Sequence, residues 1–564
     1  MSALSRVKAL VKDALASFLD RLLQYRWFLF VVALVDSIII HYISKLFPLE
    51  ITVLLGGLVV FGSILLLYYS RLIRRLGVLP VTDDLTFILI HARCLVTGNP
   101  PLTLLFSKIG EAPFYSKHYK SMFAKIGDLV KNWGYSAPEA LRLVSREAKS
   151  KVDEMFLQRF SAIVATGGDV KEYLRLEYNT LFSEYKSAYL RMIDMMRVVL
   201  GVYTTLLGAL TFMLATLMLL GMIFGNVFEL VVTGIAGVGV SLLGLDVLFF
   251  VFIKKPLFEA RKGARNRLML AVKFTGLSGV VFASILLAYT VITGRIFSLD
   301  YVALTLLFSG FSLLPAAVLV KVHEGRINEY DMFFPAFIRS YGEHMAVLPN
   351  MVESLKPLLI AELGKLRNLL RRVYAQLANR IDPRIAWRNF AGESASENVS
   401  RCTHVFVDAV EVGSDLGEAG ALLSDHVNEL YRLRANYIQV FKTFEITLYI
   451  MHVVTVLLMI FVSSFVDVFS SIIQAYIGEL PGEFFGILSF FSISKHDISF
   501  LVNTILLVVS IADILALCSV NPGSRYAVYY YMSTILILTG IGLYVGNYVI
   551  GVLMSNLVQI GGVP

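Results

Sequence analysis

The chain has 564 residues, of which 57% are hydrophobic and 16% are charged, with a formal net charge of +8 and a mean hydropathy of +0.71. An ordinary soluble domain is roughly 45–50% apolar and about 25% charged, so this composition excludes both a soluble globular protein and a disordered one. Three cysteines are too few for a disulfide framework or a cysteine-rich metal module. The sequence therefore predicts an integral membrane protein.

Residues 1–26 predict a basic amphipathic helix that lies on the membrane surface. Its apolar residues share one helical face, while its basic residues lie elsewhere. The apolar residues are Leu4, Val7, Val11, Leu15, Phe18 and Leu22, and the basic residues are Arg6, Lys8 and Lys12. No signal-peptide cleavage pattern precedes the first apolar segment.

Nine segments are apolar enough to be membrane spans, because a bilayer core of roughly 30 Å requires about 20 apolar residues. They are residues 27–42, 51–69, 200–224, 228–253, 274–292, 301–320, 446–466, 500–517 and 532–553. The resulting fold class is an all-α polytopic membrane protein with about nine transmembrane helices.

The distribution of Lys and Arg predicts the orientation, because basic loops stay in the cytoplasm. With the N-terminus inside, 47 of the 50 Lys and Arg residues fall in cytoplasmic segments, and Lys45, Arg295 and Lys495 fall outside. The short basic loop 254–273 decides the orientation by itself. We therefore predict a multi-pass protein of the cell membrane with a cytoplasmic N-terminus and an extracytoplasmic C-terminus.

Two long gaps between spans, 70–199 and 321–445, are domain-sized and lie on the cytoplasmic side. Both lack strand alternation and predict helical-bundle domains; in the first, Ser136 and Glu139 form a capping-box pattern. The predicted domains are the amphipathic helix 1–26, spans one and two in 27–69, the first cytoplasmic domain 70–199, spans three to six in 200–320, the second cytoplasmic domain 321–445, and spans seven to nine in 446–564.

The two halves of the chain repeat each other. Gly167-Gly168-Asp169-Val170-Lys171-Glu172 matches Gly413-Ser414-Asp415-Leu416-Gly417-Glu418 at an offset of 246 residues, and Asp84 matches Asp331 at 247. Both halves enter the membrane in the same direction, so the repeat is direct. Alternating-access transporters usually carry inverted repeats, which makes a solute transporter the weaker alternative.

Helix caps are the favoured interpretation of the repeated motif. Asp169 and Asp415 occupy N-cap positions, and Glu172 and Glu418 occupy the third helical position, where carboxylates complement free backbone N–H groups and the helix dipole. After each motif the pattern stays helical into the membrane, without Gly or Pro from Asp169 to Gly201. A rigid helix would thus carry a displacement of each cytoplasmic domain into the bilayer.

Acidic residues inside predicted spans are the strongest candidates for chemistry, because a carboxylate in lipid is costly. Asp36, Asp246 and Asp513 qualify. Their functional interpretation is an ion path, and the alternative is interhelical hydrogen bonding. The second is favoured, because no intramembrane Lys or Arg accompanies them.

A cluster of basic residues in the loop 254–273 is the main candidate for partner binding. It comprises Lys254, Lys255, Arg261, Lys262, Arg265 and Arg267, with Glu259 as the single acid among them. Two interpretations carry similar weight: contact with anionic lipid headgroups, and a dock for the acidic face of a cytoplasmic protein.

Motifs for catalysis are missing from the sequence. A phosphate-binding loop needs Gly, four residues, Gly-Lys and a hydroxyl, but Gly364-Lys365 is followed by Leu366. There is no His-Glu-x-x-His, Cys-x-x-Cys or Gly-x-Ser-x-Gly. We therefore predict no enzymatic activity, no cofactor, no metal site and no nucleic-acid partner.

With two helical domains that run into membrane spans, and with the repeated Gly-x-Asp-x-x-Glu motif, the chain resembles the platform proteins of type IV filament machines, the family of the type II secretion F component. The features typical of the archaeal branch are Asp84, the stretch 93–102, Trp133-Gly134-Tyr135-Ser136 and Glu177-Tyr178. That branch serves archaella and adhesive pili. Bacterial members typically have three spans, so nine spans fit the larger archaeal proteins.

The resemblance implies a non-enzymatic membrane core that forms a homodimer above a hexameric secretion-type ATPase. Such a platform couples the ATPase to the extraction of pilin or archaellin subunits and their insertion at the filament base. An alternative from another class is a transporter or ion-driven pump that uses Asp36, Asp246 and Asp513. A transporter would act alone in liposomes, whereas a platform requires its ATPase.

Overall fold

The structure, a computed structural model, describes residues 81–148, 150–224, 227–260, 267–295, 298–476 and 495–560. Every regular element in these ranges is a helix, and a single isolated antiparallel bridge joins Glu259 to Ser396. The predicted all-α class is therefore confirmed for the described residues. Residues 1–69, with the amphipathic helix, the first two predicted spans and Asp36, lie outside them.

The first helical block contains five short helices and the start of a long one. They are α1 Asp83–Val96, α2 Leu102–Glu111, α3 Lys117–Lys131, α4 Ala137–Ser145, α5 Lys151–Ala165 and α6 Val170–Phe224. Local sequence sets several of the starts: the hydroxyl of Thr82 accepts a hydrogen bond from Leu85 N, and that of Ser150 accepts one from Val152 N. These are N-caps that satisfy free donors.

Helix α1 is buried along almost its whole length, which explains its nearly continuous apolar sequence. It contacts α2 and α6 of its own half and also α12 (Glu397–Val412) and α13 (Leu416–Tyr476) of the second half. The opening helix of the first block therefore lies against the second block.

The second block is formed by the end of a long helix, two short 3-10 helices and three α-helices. They are α9 Leu299–Val347, the 3-10 helices Glu353–Leu355 and Pro357–Leu359, α10 Leu366–Ala378, α11 Pro383–Ser394 and α12, followed by α13. Helices α4, α5 and α6 of the first block each start 246 residues before α11, α12 and α13. The counterpart of α2 is the segment that holds the 3-10 helices.

Six helices in the described ranges are long and apolar enough to cross a membrane. They are Val170–Leu220, Leu268–Ile292, Leu299–Val347, Leu416–Phe469, Ile498–Val520 and Arg525–Leu553. They coincide with six of the nine predicted spans. The predicted span 228–253 falls on α7 (Val227–Phe252). Among its described residues, only the segment Gly237–Asp246 is apolar by the same measure, and this segment is shorter than the six candidate spans. The remaining helices are α8 Arg267–Ile292, α14 Lys495–Val520, the 3-10 helix Arg525–Ala527 and α15 Val528–Ile560.

The predicted continuity of α6 and α13 is confirmed, because each runs without a break from a helical block through a segment apolar enough to cross a membrane. At 1.5 Å per residue, the 55 residues of α6 extend about 80 Å, far more than the roughly 30 Å of a bilayer core. Helix α9 does the same in the opposite direction, since its 49 residues pass through Pro315 and Pro335 without a break. The boundary that the sequence placed between 320 and 321 therefore lies inside a helix.

Candidate functional site

The repeated motifs form the turns from which the two long helices start. Asp169 Oδ1 accepts hydrogen bonds from the backbone N–H groups of Lys171, at 2.8 Å, and Glu172, at 3.2 Å. Asp415 Oδ1 accepts one from Glu418 N at 3.0 Å. Gly167 and Gly413 take φ values of 69° and 74°, left-handed conformations that end the preceding helices and favour glycine. Both aspartates therefore have the geometry of N-caps.

The glutamates of the motifs make different contacts from those of a capping box. Glu172 accepts hydrogen bonds from the guanidinium of Arg175 at 2.6 and 2.8 Å. Glu418 accepts one from Lys171 Nζ at 2.7 Å, so the two motifs touch each other. Nearby cations are stronger donors than a backbone N–H group, which explains why the carboxylates turn toward them. Both glutamates nevertheless remain in the first turn of their helices, the position that the sequence predicted for them.

Helices α6 and α13 lie side by side and nearly in register, from the blocks into the membrane. The four contacts that establish this are Lys171 with Glu418, Tyr178 OH with His426 Nδ1 at 2.9 Å, Lys186 with Glu429 at 2.6 Å, and Thr211 with Thr455 at 3.3 Å. Burial, together with the charge of Arg401, lowers the pKa of His426 to about 3. His426 is therefore neutral, and its contact with Tyr178 is a hydrogen bond between uncharged groups.

Buried ion pairs join the first block to the second. The Arg401 side chain is 6% exposed and donates to Asp84 Oδ1 at 2.9 Å and to Glu397 Oε1 at 2.8 Å. Lys108 donates to Asp408 Oδ1 at 3.0 Å. Burial alone would raise the pKa of Asp408, but hydrogen bonds from His91 and Lys108 and the charges of His91 and His404 hold it at about 2. This carboxylate therefore stays ionised at every physiological pH.

A second buried ion pair lies inside the second block, at the position equivalent to Asp84. Asp331 Oδ2 accepts a hydrogen bond from Arg434 at 2.7 Å, and Asp331 also accepts one from the hydroxyl of Ser396. Burial raises the pKa of Asp331, an effect that the charge of Arg434 opposes. The sequence identified Asp84 and Asp331 as equivalent, whereas their arginine partners were not predicted.

Two of the six basic residues predicted as a dock make contacts within the protein. Lys254 Nζ lies 3.0 Å from Asp83 Oδ2, and Lys255 Nζ donates to the carbonyl of Cys518 at 2.6 Å, near the C-terminus of α14. A cation at a helix C-terminus is favoured by the helix dipole. Arg261, Lys262 and Arg265 lie outside the described residues, and Arg267 is the first residue of α8.

The loop that begins with Lys254 then joins the second block. Ala260 N donates to Ala395 O at 2.8 Å, and Glu397 N donates to Phe258 O at 3.0 Å. The turn after α14 reaches the same place, because the Ser524 hydroxyl donates to Glu259 Oε2 and its backbone N–H donates to Glu324 Oε1, both at 2.8 Å. The loops that follow α7 and α14 therefore both form hydrogen bonds with the second block or with each other.

Asp513 is the centre of a polar cluster within the predicted spans. Its Oδ2 lies 2.7 Å from His452 Nδ1, and its Oδ1 accepts a hydrogen bond from Tyr203 OH at 3.1 Å. His452 Nε2 lies 2.8 Å from Thr539 Oγ1. Asp246 is 4% exposed, and neither of its carboxylate oxygens has a hydrogen-bond partner among the described residues.

Sequence reasoning missed His452, because a single histidine within an apolar segment looked like a packing residue. A usable signal was present: Glu445, Tyr449, His452 and Thr455 recur at helical spacing and form a polar face on an otherwise apolar helix. As for metals, no group of three or more His, Cys, Asp or Glu residues within the described ranges has a geometry that could hold an ion.

The family described as Type II secretion system, protein F, matches this chain twice, at residues 92–218 and at residues 337–464. The two matched segments start 245 residues apart, close to the offset of the repeated motifs. Each begins in the opening helix of a block and ends in a span.

Two relatives have the name flagella accessory protein J. One, from Methanocaldococcus jannaschii, is 25% identical over 330 residues, which are 57% of this chain and 58% of the relative. The other, from Methanococcus voltae, is 22% identical over 341 residues, which are 58% of this chain and 60% of the relative. The matched region thus spans less than two thirds of either relative. No solved structure matches the chain significantly.

Both copies of the family's domain coincide with the same structural unit, a helical block that continues into the membrane through α6 or α13. The similarity to the two flagella accessory proteins J is consistent with this match. The chain therefore carries two copies of the type II secretion system F domain and is similar to archaellum accessory proteins, in agreement with the resemblance found in the sequence.

Proposed function

We propose that this chain is the inner membrane platform of an archaeal type IV pilus or archaellum assembly machine. In this role it couples a cytoplasmic hexameric secretion-type ATPase to the extraction of pilin or archaellin subunits and to their assembly into a filament. It acts without catalysing a reaction or binding a cofactor itself.

The parallel pair α6 and α13 carries this proposal. Each is one unbroken helix from a cytoplasmic block to a membrane span, and the two contact each other from Lys171 and Glu418 to Thr211 and Thr455. Because an α-helix resists axial compression, a force on either block reaches the membrane without loss in a flexible linker. A platform that converts ATPase motion into pilin movement needs such a connection.

In the cell membrane, the proposed arrangement has nine spans in a direct repeat, with a cytoplasmic N-terminus and an extracytoplasmic C-terminus. Both blocks, within 70–199 and 321–445, face the cytoplasm and the ATPase. We propose a homodimer as the assembled form.

The ATPase dock is the finer part of the proposal. Lys254 and Lys255 hold the loop to Asp83 and to α14, so the residues proposed to meet the ATPase are Arg261, Lys262, Arg265 and Arg267. Their charge suits an acidic face of a partner, and anionic lipid headgroups are the competing ligand.

Deletion of the gene and complementation with variants test the role in cells. We expect the deletion strain to lose archaella or adhesive pili in electron micrographs, and the wild-type gene to restore them. A triple charge reversal, Arg261→Glu, Lys262→Glu and Arg265→Glu, should fail to restore filaments although the protein reaches the membrane.

A matched control is the reversal of Arg388, an exposed arginine on α11, which should restore filaments fully. A deletion strain that keeps both kinds of filament would overturn the proposed function. Normal filaments with the triple reversal would overturn the dock alone.

A further inference from the structure

The polar cluster around Asp513 joins four helices at a depth where the neighbouring side chains are apolar. Tyr203 comes from α6, His452 from α13, Asp513 from α14 and Thr539 from α15. The side chains of His452 and Asp513 are both 0% exposed. Buried polar groups in a membrane span are functional candidates, because their presence is costly.

Hydrogen-bond donors in the cluster determine how many protons it holds. The Thr539 hydroxyl donates to Ile535 O at 2.8 Å, so its oxygen accepts from His452, and His452 Nε2 must carry a hydrogen. On the other side of the ring, His452 Nδ1 and Asp513 Oδ2 lie 2.7 Å apart. One proton must lie between these two atoms, whether it is bonded to the nitrogen or to the oxygen.

Asp246 adds a second carboxyl group to this site. It lies on α7, which packs against α6 and α14, the helices that carry Tyr203 and Asp513. Within the described residues neither oxygen of Asp246 has a hydrogen-bond partner. A buried carboxylate without a hydrogen-bond partner or counter-ion is strongly unfavourable, and a bound proton removes its charge.

The titratable groups on the helices near Asp246 are also consistent with a proton bound to its carboxyl group. Helix α6 contributes Tyr203, α14 contributes Asp513 and Cys518, and α13 contributes His452. The nearest lysine along the loop, Lys255, donates to the carbonyl of Cys518 instead. None of these groups supplies Asp246 with a cation.

We propose that Asp246, Asp513 and His452 form an intramembrane proton-binding site, which holds one proton on Asp246 and a second shared between Asp513 and His452 at neutral pH. The ligand is the proton itself. Loss of the proton from Asp246 leaves an uncompensated negative charge buried on α7.

Dicyclohexylcarbodiimide is a suitable probe, because it modifies carboxylic acids in apolar surroundings only when they are protonated. The acid proton moves to a nitrogen of the carbodiimide, the carboxylate oxygen bonds to its central carbon, and the O-acylisourea rearranges to a stable N-acylurea. The experiment treats the full-length protein in lipid nanodiscs at pH 7 and locates the modification by mass spectrometry.

We expect modification at Asp246 and almost none at Asp300, an exposed aspartate at the start of α9. An ordinary aspartate is protonated in about one molecule per thousand at pH 7, so Asp246 should react at least about a hundredfold more than Asp300. Asp246→Asn should abolish this modification, whereas Asp300→Asn should leave it unchanged.

A second variant tests the shared proton without touching Asp246. His452→Gln removes the ring that holds Asp513, so Asp513 should become reactive while Asp246 stays modified. Equal modification of Asp246 and Asp300 in the wild-type protein would overturn the proposal. This comparison does not depend on the folding of any variant. Unreactive Asp513 in His452→Gln would overturn the shared proton.

Discussion

Arg434 and Asp331 lie 2.7 Å apart with 4% and 1% of their side chains exposed, and their pairing illustrates how single residues hold the second block together. Arg434 also donates to Asn328 and lies 4.0 Å from the centre of the Phe258 ring, which belongs to the loop after α7. The ion pair therefore connects α9 with α13 and positions a loop of the membrane domain. Loss of the Asp331 carboxylate leaves the buried Arg434 cation without a counter-ion.

Removal of the carboxylate should be strongly destabilising. We expect Asp331→Asn to lower the free energy of unfolding by about 3–5 kcal/mol, because Arg434 remains buried and charged. Thermal or denaturant unfolding in detergent measures the change. The control is Arg339→Met at an exposed ion pair with Asp425, which should cost less than about 1 kcal/mol.

The double variant Asp331→Asn, Arg434→Met shows whether the loss of stability comes from an uncompensated buried charge or from lost packing. With both charges gone, the loss should be smaller than that of Asp331→Asn alone. A double variant that is less stable by the sum of the single changes would contradict this explanation.

Gly342 and Gly420 allow α9 and α13 to cross closely. A Cβ atom at Gly342 would lie 2.4 Å from Leu416 O, which is backbone and cannot turn away. We expect Gly342→Ala to cost about 1–3 kcal/mol of unfolding free energy. Gly325→Ala on the same helix meets nothing within 4 Å and should be neutral or stabilising by up to about 1 kcal/mol. Equal melting temperatures for the two variants would show that the helices separate at little cost.

At the scale of elements, the central feature is the continuity of α6 and α13 from block to membrane. Met195 lies on α6 between the cytoplasmic contacts of this helix and its apolar segment, and its side chain is 49% exposed. A proline there removes a backbone hydrogen bond and kinks the helix, without disturbing a buried side chain.

We expect Met195→Pro to abolish filament assembly while the protein still binds its ATPase. Met195→Ala, which preserves the helix, should assemble filaments normally. Electron microscopy of complemented cells and co-purification of the ATPase provide the two measurements. Wild-type filament numbers with Met195→Pro would show that an unbroken α6 is unnecessary.

Contact between the blocks can be followed through Cys94, whose Sγ lies 3.9 Å from Ala419 O of α13. Burial raises the pKa of the Cys94 thiol to about 12 from the usual 9. The thiolate is therefore about a thousandfold rarer than in an exposed cysteine at the same pH.

We expect Cys94 to resist N-ethylmaleimide at pH 8 in the native protein and to react fully after denaturation. The reaction rate then reports how often the blocks separate. Arg401→Met, which breaks the ion pair with Asp84, should accelerate the labelling. Rapid native labelling would mean that the blocks are not held together.

The sequence could predict the features that depend on neighbouring residues. The caps at Asp169 and Asp415 follow from local spacing, and the passage of α6 into the membrane follows from the lack of Gly and Pro between Asp169 and Gly201. The continuity of α9 was not anticipated, because Pro315 and Pro335 usually interrupt helices. In the structure the helix tolerates both.

Partners that are distant in the chain could not be predicted from spacing. Asp84 and Arg401 are 317 residues apart, and Asp513 and His452 are 61 apart on different helices. The sequence assigned Lys254 and Lys255 to a contact with lipid headgroups or with a partner protein, and only the tertiary fold brings them to Asp83 and to the end of α14. One sequence without its fold contains no signal for such pairs.

At the scale of the whole molecule, the proposed function is mechanical coupling without catalysis. Two blocks are joined by buried ion pairs, two long helices run together into the membrane, and loops between the spans hold the second block from below. Under the proposed function, a displacement of the blocks moves the membrane helices together, and the ATPase supplies the energy.

The most direct measurement is co-purification of the detergent-solubilised protein with the secretion-type ATPase of the same genome, at low and high salt, together with the rate of ATP hydrolysis. The account predicts binding at low salt, weaker binding at high salt because the basic loop is screened, and faster hydrolysis in the complex. A folded, active ATPase that neither binds nor accelerates at low salt would contradict it.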